Sequence, residues 1–219
     1  MSADQTVVGH RDPLTERGRR TRDVLVVAAR ELFEQKGFAA TRMDDIADVA
    51  GVSHGTVYTY FADKYSVLDA VLSDLKEQLQ AAWRVGAEDA DPVSRIAAAN
   101  RRFLDSYRMH AKLLAVIEQV VMTAPQYGVL LADFRQRYVE RAVAGIRRLQ
   151  DEGAVDRELD PYLAGSALCA MVEGFSRQWV LRDEKHDPEL VTETLTTLWA
   201  RALGLESVRN RGGKNAIHG

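Results

Sequence analysis

The stretch Ala50–Lys64 reads AGVSHGTVYTYFADK. Gly51 can end one short helix, and Ser53 can cap another that runs to about Phe61. Two short helices joined by AGVS have the layout of a helix-turn-helix, whose second helix enters the major groove of DNA. Yet no Arg or Lys stands between Ser53 and Phe61. If this helix reads an anionic duplex, the charge must come from elsewhere.

Outward from this stretch, the 3.6-residue period dominates and period-2 alternation is scarce, which predicts an all-α protein of about nine helices. Leu25, Ala28, Ala29, Leu32 and Phe33 form one apolar stripe that stops at Gly37. Met43, Ile46, Ala47 and Ala50 form the next, and Thr41 with Asp44 has the pattern of a capping box. Val57 and Phe61 share the inward face of the third helix. Asp63 can cap a fourth, whose stripe begins at Val67, Leu68 and Val71 and continues toward Trp83. Asp-Pro occurs at 91–92, 160–161 and 187–188. Asp caps well and Pro suits the first helical position, so helices are expected to start near 92, 161 and 188. Two more are expected at about 111–122 and 126–151. Residues 11–22 and 207–219 read as arms or tails.

The chain has 219 residues, 29 Lys and Arg against 32 Asp and Glu, and a net charge of −3. It is no polycation, so nucleic-acid binding requires a local patch. Cys169 is the only cysteine, which excludes an intramolecular disulfide and a Cys-based zinc cluster and suits a reducing cytosol. The N-terminus lacks an apolar signal region, and no apolar run is long enough for a membrane span. A cytoplasmic protein is expected. No nucleophile, metal-ligand or phosphate-loop motif is present, and His10, His54, His110, His186 and His218 are scattered. Neither catalysis, a cofactor nor a metal is expected. Asp44-Asp45 and Asp151-Glu152 read as solvated helix ends.

The run AARELFEQKGFAATRMDDIADVAGVSHGTVYTYFADKYSVL, Ala28–Leu68, strongly resembles the TetR family of transcriptional regulators. The match is carried by Ala29, Leu32, Phe33, Gly37, Phe38, Thr41, Ile46, Ala47, Ala50, Gly51, Val52, Ser53, Gly55, Thr56, Tyr58, Tyr60, Phe61, Lys64 and Leu68. The resemblance implies a three-helix DNA-binding domain at 15–62 and a helical ligand-binding and dimerisation domain at 63–205. The tails would be 1–14 and 206–219. Stepped at 100°, Gly55, Thr56 and Thr59 face away from Val57, with Tyr58 and Tyr60 beside them. Gly55 allows close approach to the groove, and the threonine hydroxyls can meet a phosphate or a thymine methyl. His54 can reach a base edge, and Ser53 is counted with this DNA-facing set. Tyr58 and Tyr60 match family positions that contact the DNA backbone, and Lys64 matches one that pins a phosphate. Asp44 departs from relatives that carry Arg or Lys there, so helix 2 offers less base readout. Arg17, Arg19, Arg20 and Arg22, as a basic arm ahead of and within the first turn of helix 1, and Arg42 can supply the missing charge.

The segment 161–182 is apolar nearly all round, which implies burial on every side, partly by a second copy. Leu163, Ala167, Ala170 and Gly174, with Val191, Leu195, Leu198, Trp199 and Ala202 of the last helix, are expected at a homodimer interface. A dimer would read an inverted repeat in double-stranded DNA. A pocket for a small lipophilic effector is expected among Phe103, Tyr107, Met109, Gln119, Met122, Tyr138, Glu173, Phe175 and Trp179. Arg108 and Arg141 could pair with an anionic head, such as a carboxylate or a CoA phosphate. The sequence thus reads as a homodimeric repressor released by a ligand. An activator of the same fold, or a protein-interaction adaptor that no longer binds DNA, are the alternatives. The nine Lys and Arg against ten Asp and Glu in residues 1–68 lean toward the adaptor.

Overall fold

The computed structural model describes residues 15–82, 91–182 and 185–205. The expected tails at 1–14 and 206–219, and Trp83, lie outside the described residues. Among the described residues there are eight α-helices and no strand: α1 (Glu16–Lys36), α2 (Met43–Ala50), α3 (His54–Tyr60), α4 (Lys64–Ala82), α5 (Pro92–Val121), α6 (Gly128–Asp151), α7 (Pro161–Leu181) and α8 (Pro188–Ala202). A single 3-10 turn, Pro125–Tyr127, precedes α6.

The Asp-Pro starts hold. Asp160 accepts the Leu163 N–H at 2.8 Å, Asp187 accepts the Glu189 N–H at 3.1 Å, and Asp91 accepts those of Val93 and Ser94 at 3.0 and 3.1 Å. Asp63 caps α4: its carboxylate accepts the Ser66 N–H at 2.8 Å, and the Ser66 hydroxyl accepts the Asp63 N–H at 3.2 Å. Each cap satisfies donors that the first helical turn leaves unpaired.

Three local expectations are corrected. The cap of α2 sits one residue later than expected, because Asp45, not Asp44, accepts the backbone N–H of Arg42 at 2.8 Å. Thr41 is buried and donates its hydroxyl to the Gly37 carbonyl at 2.8 Å. The expected helices at 92–110 and 111–122 are one continuous α5, since no Gly or Pro follows Pro92 until Pro125. Arg17, Arg19, Arg20 and Arg22 are no arm: they lie in the first two turns of α1, which starts at Glu16. Thr15 caps it, its hydroxyl accepting the Gly18 N–H at 3.1 Å.

The chain groups into two compact units. Of the described residues, the first comprises 15–80 with 112–120, and the second 81–82, 91–111, 121–182 and 185–205. In the first, Leu25, Ala29, Phe33, Ile46, Ala47, Val57, Val67, Leu68 and Leu75 are wholly buried, as are Leu113 and Ile117 of α5. This unit takes in residues 64–80 of α4.

In the second unit α6 runs along α7 at close range. A Cβ on Gly165 of α7 would come within 3.2 Å of a Val143 methyl on α6. Leu104, Tyr138, Val139, Ile146, Leu168, Val172, Leu195 and Trp199 belong to its core. α8 is held to α5 by the buried Asn100, whose amide donates to the Thr196 hydroxyl at 3.2 Å, and by a two-pronged ion pair of Arg101 with Glu189. Cys169 is buried at this core, and burial pushes its thiol up to about 12. Among the described residues, no helix is long and apolar enough to cross a membrane.

Candidate functional site

The first unit presents α3 by packing one side of it. Val57 and Phe61 are at most 1% exposed and fix its inward face. Gly51, between α2 and α3, has φ of +67°, a left-handed conformation that favours glycine and turns the chain sharply. Ser53 then caps α3, accepting the Thr56 N–H at 3.3 Å while the two hydroxyls lie 2.7 Å apart. Ser53, His54, Gly55, Tyr58 and Thr59 are exposed, and Thr56 and Tyr60 are half-buried. Thr59 donates its hydroxyl to the Gly55 carbonyl at 3.2 Å. The outward arc expected from 100° stepping is therefore the arc left open.

Gly55 is informative because its own fold does not require it. A Cβ built there meets nothing within 4 Å, and no positive φ holds the position. A glycine inside a short helix weakens that helix by up to about 1 kcal/mol relative to Ala. Packing within the fold therefore does not account for the bare position.

His54 stands between two carboxylates. Its Nε2 lies 2.9 Å from Asp48 Oδ1, and its Nδ1 lies 3.5 Å from Asp44 Oδ1. The hydrogen bond to Asp48, then the charge of Asp44, raise the imidazole above its ordinary value of 6.5. Asp44, read from sequence as a capping partner, instead orients the first residue of α3. Sequence spacing concealed this, because α2 and α3 meet only once the Gly51 turn is made. Asp45 pairs instead with Lys36 at 2.6 Å, and this bond holds its carboxyl below the usual range.

No Arg or Lys lies on α3 itself. Arg22 stacks over the Phe61 ring, 5.5 Å from its centre, beside the end of α3. Arg17, Arg19 and Arg42 are exposed, and Arg20 pairs with Glu16 one turn away. Four arginines at a helix N-terminus oppose the helix dipole, a placement that folding alone does not favour. Lys64 has another task. Its ammonium donates to the carbonyls of Phe38, Ala39 and Thr41 at 2.6, 3.1 and 2.8 Å and lies 4.5 Å from the centre of the Phe38 ring. All three N–H groups are thus engaged in tying down the α1–α2 loop, and partial burial lowers its pKa. The expected phosphate contact finds no free donor on Lys64.

In the second unit a cavity of about 310 Å³ opens between α5, α6 and α8. Of the nine expected lining residues it includes Tyr138 alone. Phe103 stacks on Tyr138 and Tyr107, with centres 4.4 and 6.0 Å apart. Phe175, Trp179 and His186 form a second ring cluster, capped by Arg108 at 4.9 Å from the Trp179 centre. Glu173 accepts from Arg135 at 2.9 Å. Gln119, Met109 and Met122 are exposed, the methionines at 73% and 83%, and so line no core cavity.

The expected dimer residues divide. Val191, Leu195 and Trp199 are buried in the chain's own core, which corrects their assignment. The buried arc of α8 also takes in Thr192 and Thr196, whose hydroxyls are satisfied by Pro188 O and by Asn100. Leu163, Ala167, Gly174, Leu198 and Ala202 remain exposed, and Ala170 is half-buried.

An all-α chain with a short capped helix presented over a left-handed turn, and an arginine stacked beside its end, is a helix-turn-helix regulator by fold. Comparison with known proteins agrees. A family model described as bacterial regulatory proteins, tetR family, matches residues 25–71, and one described as BetI-type transcriptional repressor, C-terminal, matches 93–204. The chain belongs to the TetR family of bacterial regulators. It is 27% identical over 201 residues to the HTH-type transcriptional regulator EthR of Mycolicibacterium smegmatis, covering 86% of this chain and 92% of that one. It is 26% identical over 185 residues to TtgR of Pseudomonas putida, covering 78% and 86%. In fold it is similar to NalD, the secondary repressor of the MexAB-OprM multidrug efflux pump in Pseudomonas aeruginosa. That likeness has a TM-score of 0.65 at 23% identity, over 86% of this chain and 98% of NalD.

Proposed function

We propose that this protein is a cytoplasmic homodimeric repressor that binds an inverted-repeat operator through α3 and is released by a small lipophilic effector. The observation that carries the DNA-binding reading is the outward arc of α3. There an unpacked Gly55 lies between exposed His54, Tyr58 and Thr59, with Arg22 stacked at the helix end. Gly55 lets the helix sit deep in the groove. Thr56, Thr59, Tyr58 and Tyr60 make the short-range contacts, and Arg17, Arg19, Arg20, Arg22 and Arg42 meet phosphates from the rim. Ser53 acts through its cap, and Lys64 through the loop it holds.

With no Arg on α3 itself, bidentate readout of guanine is restricted. His54, the tyrosines and duplex shape carry more of the sequence preference. Repression rather than activation is supported by the BetI-type repressor description of the C-terminal match and by the repressor role printed for NalD. The first unit forms the DNA-binding part, and the second binds effector and partner. Release requires only that the effector bind the DNA-incompetent state better than the competent one.

Selection of bound duplexes from a random pool, followed by a mobility-shift assay on the protein's own promoter, tests this reading. Enrichment of an inverted repeat is expected. Absence of any enriched sequence at low salt would leave only the adaptor reading.

A further inference from the structure

His54 opens α3, and the two carboxylates beside it bear on what that helix can read. Asp48 Oδ1 lies 2.9 Å from its Nε2, and Asp44 Oδ1 lies 3.5 Å from its Nδ1. An ionised carboxylate accepts and never donates, so Nε2 carries the proton of the shorter contact. In a neutral ring Nδ1 would then be the bare nitrogen, its lone pair set against the Asp44 charge. A second proton makes Nδ1 a donor as well and turns both contacts into attractions. Among the described residues, Asp48 and Asp44 are the charged groups that act on the ring, and both come from α2, the helix packed against α3. Asp45, on the same helix, is engaged by Lys36 and the Arg42 N–H instead. The hydrogen bond to Asp48, then the charge of Asp44, accordingly raise the imidazole above its ordinary value.

The group stays open to an approaching duplex, with the side chains of His54, Asp44 and Asp48 exposed at 57%, 56% and 69%. Two open acids beside a helix that meets a polyanion weaken binding by charge alone. The two nitrogens are also held unequally. At 2.9 Å Nε2 makes a full hydrogen bond, whereas 3.5 Å lies beyond the usual N–H···O range, so Nδ1–H is the group better able to turn to a base.

We propose that Asp44 and Asp48 make His54 a charged donor that selects guanine at one position of each half-site, so that the sequence preference of the head, and not only its affinity, depends on pH. Guanine sets two acceptors, N7 and O6, side by side on its major-groove edge, whereas adenine sets a donor, N6, beside its acceptor. A ring donating from Nδ1 prefers the first. A neutral ring, with Nδ1 an acceptor, loses that preference. The contact is single rather than forked, in keeping with the absence of Arg from α3. Asp44 and Asp48 act through His54 and are positioning residues. The proposal rests on the DNA-binding reading of α3 and gives that reading a base and a protonation state.

The full chain is used to select duplexes from a random pool at about pH 6 and at about pH 8.5, either side of the range in which a histidine titrates. The enriched duplex is then the probe for fluorescence-anisotropy titrations. In wild type, one guanine per half-site is expected whose exchange for adenine costs about tenfold or more at the lower pH, the loss of a charge-assisted hydrogen bond, and clearly less at the higher. His54→Ala should no longer distinguish the two bases there at either pH, while the other positions keep their preference. Asp44→Asn with Asp48→Asn separates positioning from bulk charge. Removing two negative charges by itself tightens binding to any duplex. The guanine preference of this variant should nevertheless fade at lower pH than in wild type. Circular dichroism checks that each variant is folded.

A His54-dependent preference for another base, a guanine preference equal at both pH values or kept by His54→Ala, or a pH profile unmoved by the two Asn substitutions overturns the proposal. Each of these leaves the DNA-binding reading standing, since an inverted repeat is still enriched. If no duplex is enriched under either condition, that reading falls and the guanine assignment falls with it.

Discussion

Gly55, His54 and Lys64 show how single residues divide between holding the head together and reading DNA. Gly55 has open space around its missing side chain, so Gly55→Leu should leave the melting temperature unchanged or raise it slightly, since Leu favours helix. Operator affinity should nevertheless fall at least about tenfold, as the added bulk holds the helix out of the groove. Thermal melting and fluorescence anisotropy on the same sample check both halves. His54 carries a pH dependence whose sign follows from its raised pKa. Its contribution to stability is fully present below the ordinary value of 6.5 and is lost as pH rises through the higher folded value. Wild type should therefore exceed His54→Gln in denaturation midpoint at acidic pH, with the gap closing on the alkaline side. Operator affinity should likewise rise on acidification in wild type and be flatter in the variant. A gap that widens with pH would contradict the Asp44–His54–Asp48 arrangement. For Lys64, Lys64→Met leaves three carbonyls without their donor and should cost roughly 1–2 kcal/mol of stability. Chemical denaturation measures it.

At the scale of elements, α1 is both a core helix and the source of charge. Its buried side carries Leu25, Ala29, Leu32 and Phe33, and its first two turns carry the arginines. Replacing Arg17, Arg19, Arg20 and Arg22 by Ala should weaken operator binding and flatten its dependence on salt, by roughly one unit of log–log slope for each phosphate no longer neutralised. Titrations at a series of salt concentrations read the slope directly, and an unchanged slope would remove these residues from the interface. The helix starts at the three Asp-Pro pairs, Ser53 and Asp63 were legible in the sequence because these residues act locally on backbone donors and dihedral angles. The continuity of α5 was less so, because an apolar pattern that changes phase can be either a break or a single helix meeting two surroundings. The stretch 112–120 does group with the first unit, while 92–111 groups with the second.

For the whole molecule, the exposed apolar residues of α7 and α8 matter most. Leu163 is 67% exposed and Leu198 46%, joined by Tyr162 and Leu190 at 52% and 60%. Such residues on two adjacent helices fit a self-complementary interface better than they fit water. Leu163→Asp with Leu198→Asp should yield a folded monomer by sedimentation or light scattering. The monomer should lose most affinity for the full inverted repeat while keeping its helical circular dichroism. A variant that stays dimeric would move the interface elsewhere.

The sequence by itself determined the all-α class, the helix starts at the three Asp-Pro pairs, Ser53 and Asp63, the turn at Gly51, the inward face of α3 and the family. All of these depend on short-range spacing, capping and backbone conformation. Tertiary structure alone decided which residues of α8 point inward, that Lys64 ties a loop, and that Asp44 and Asp48 hold His54. Those outcomes join residues distant along the chain or on different helices. A threonine on the surface and a threonine satisfied in a core are spelled alike, as are a solvated histidine and one held between two carboxylates. Only the partners that folding brings within a few ångströms tell them apart.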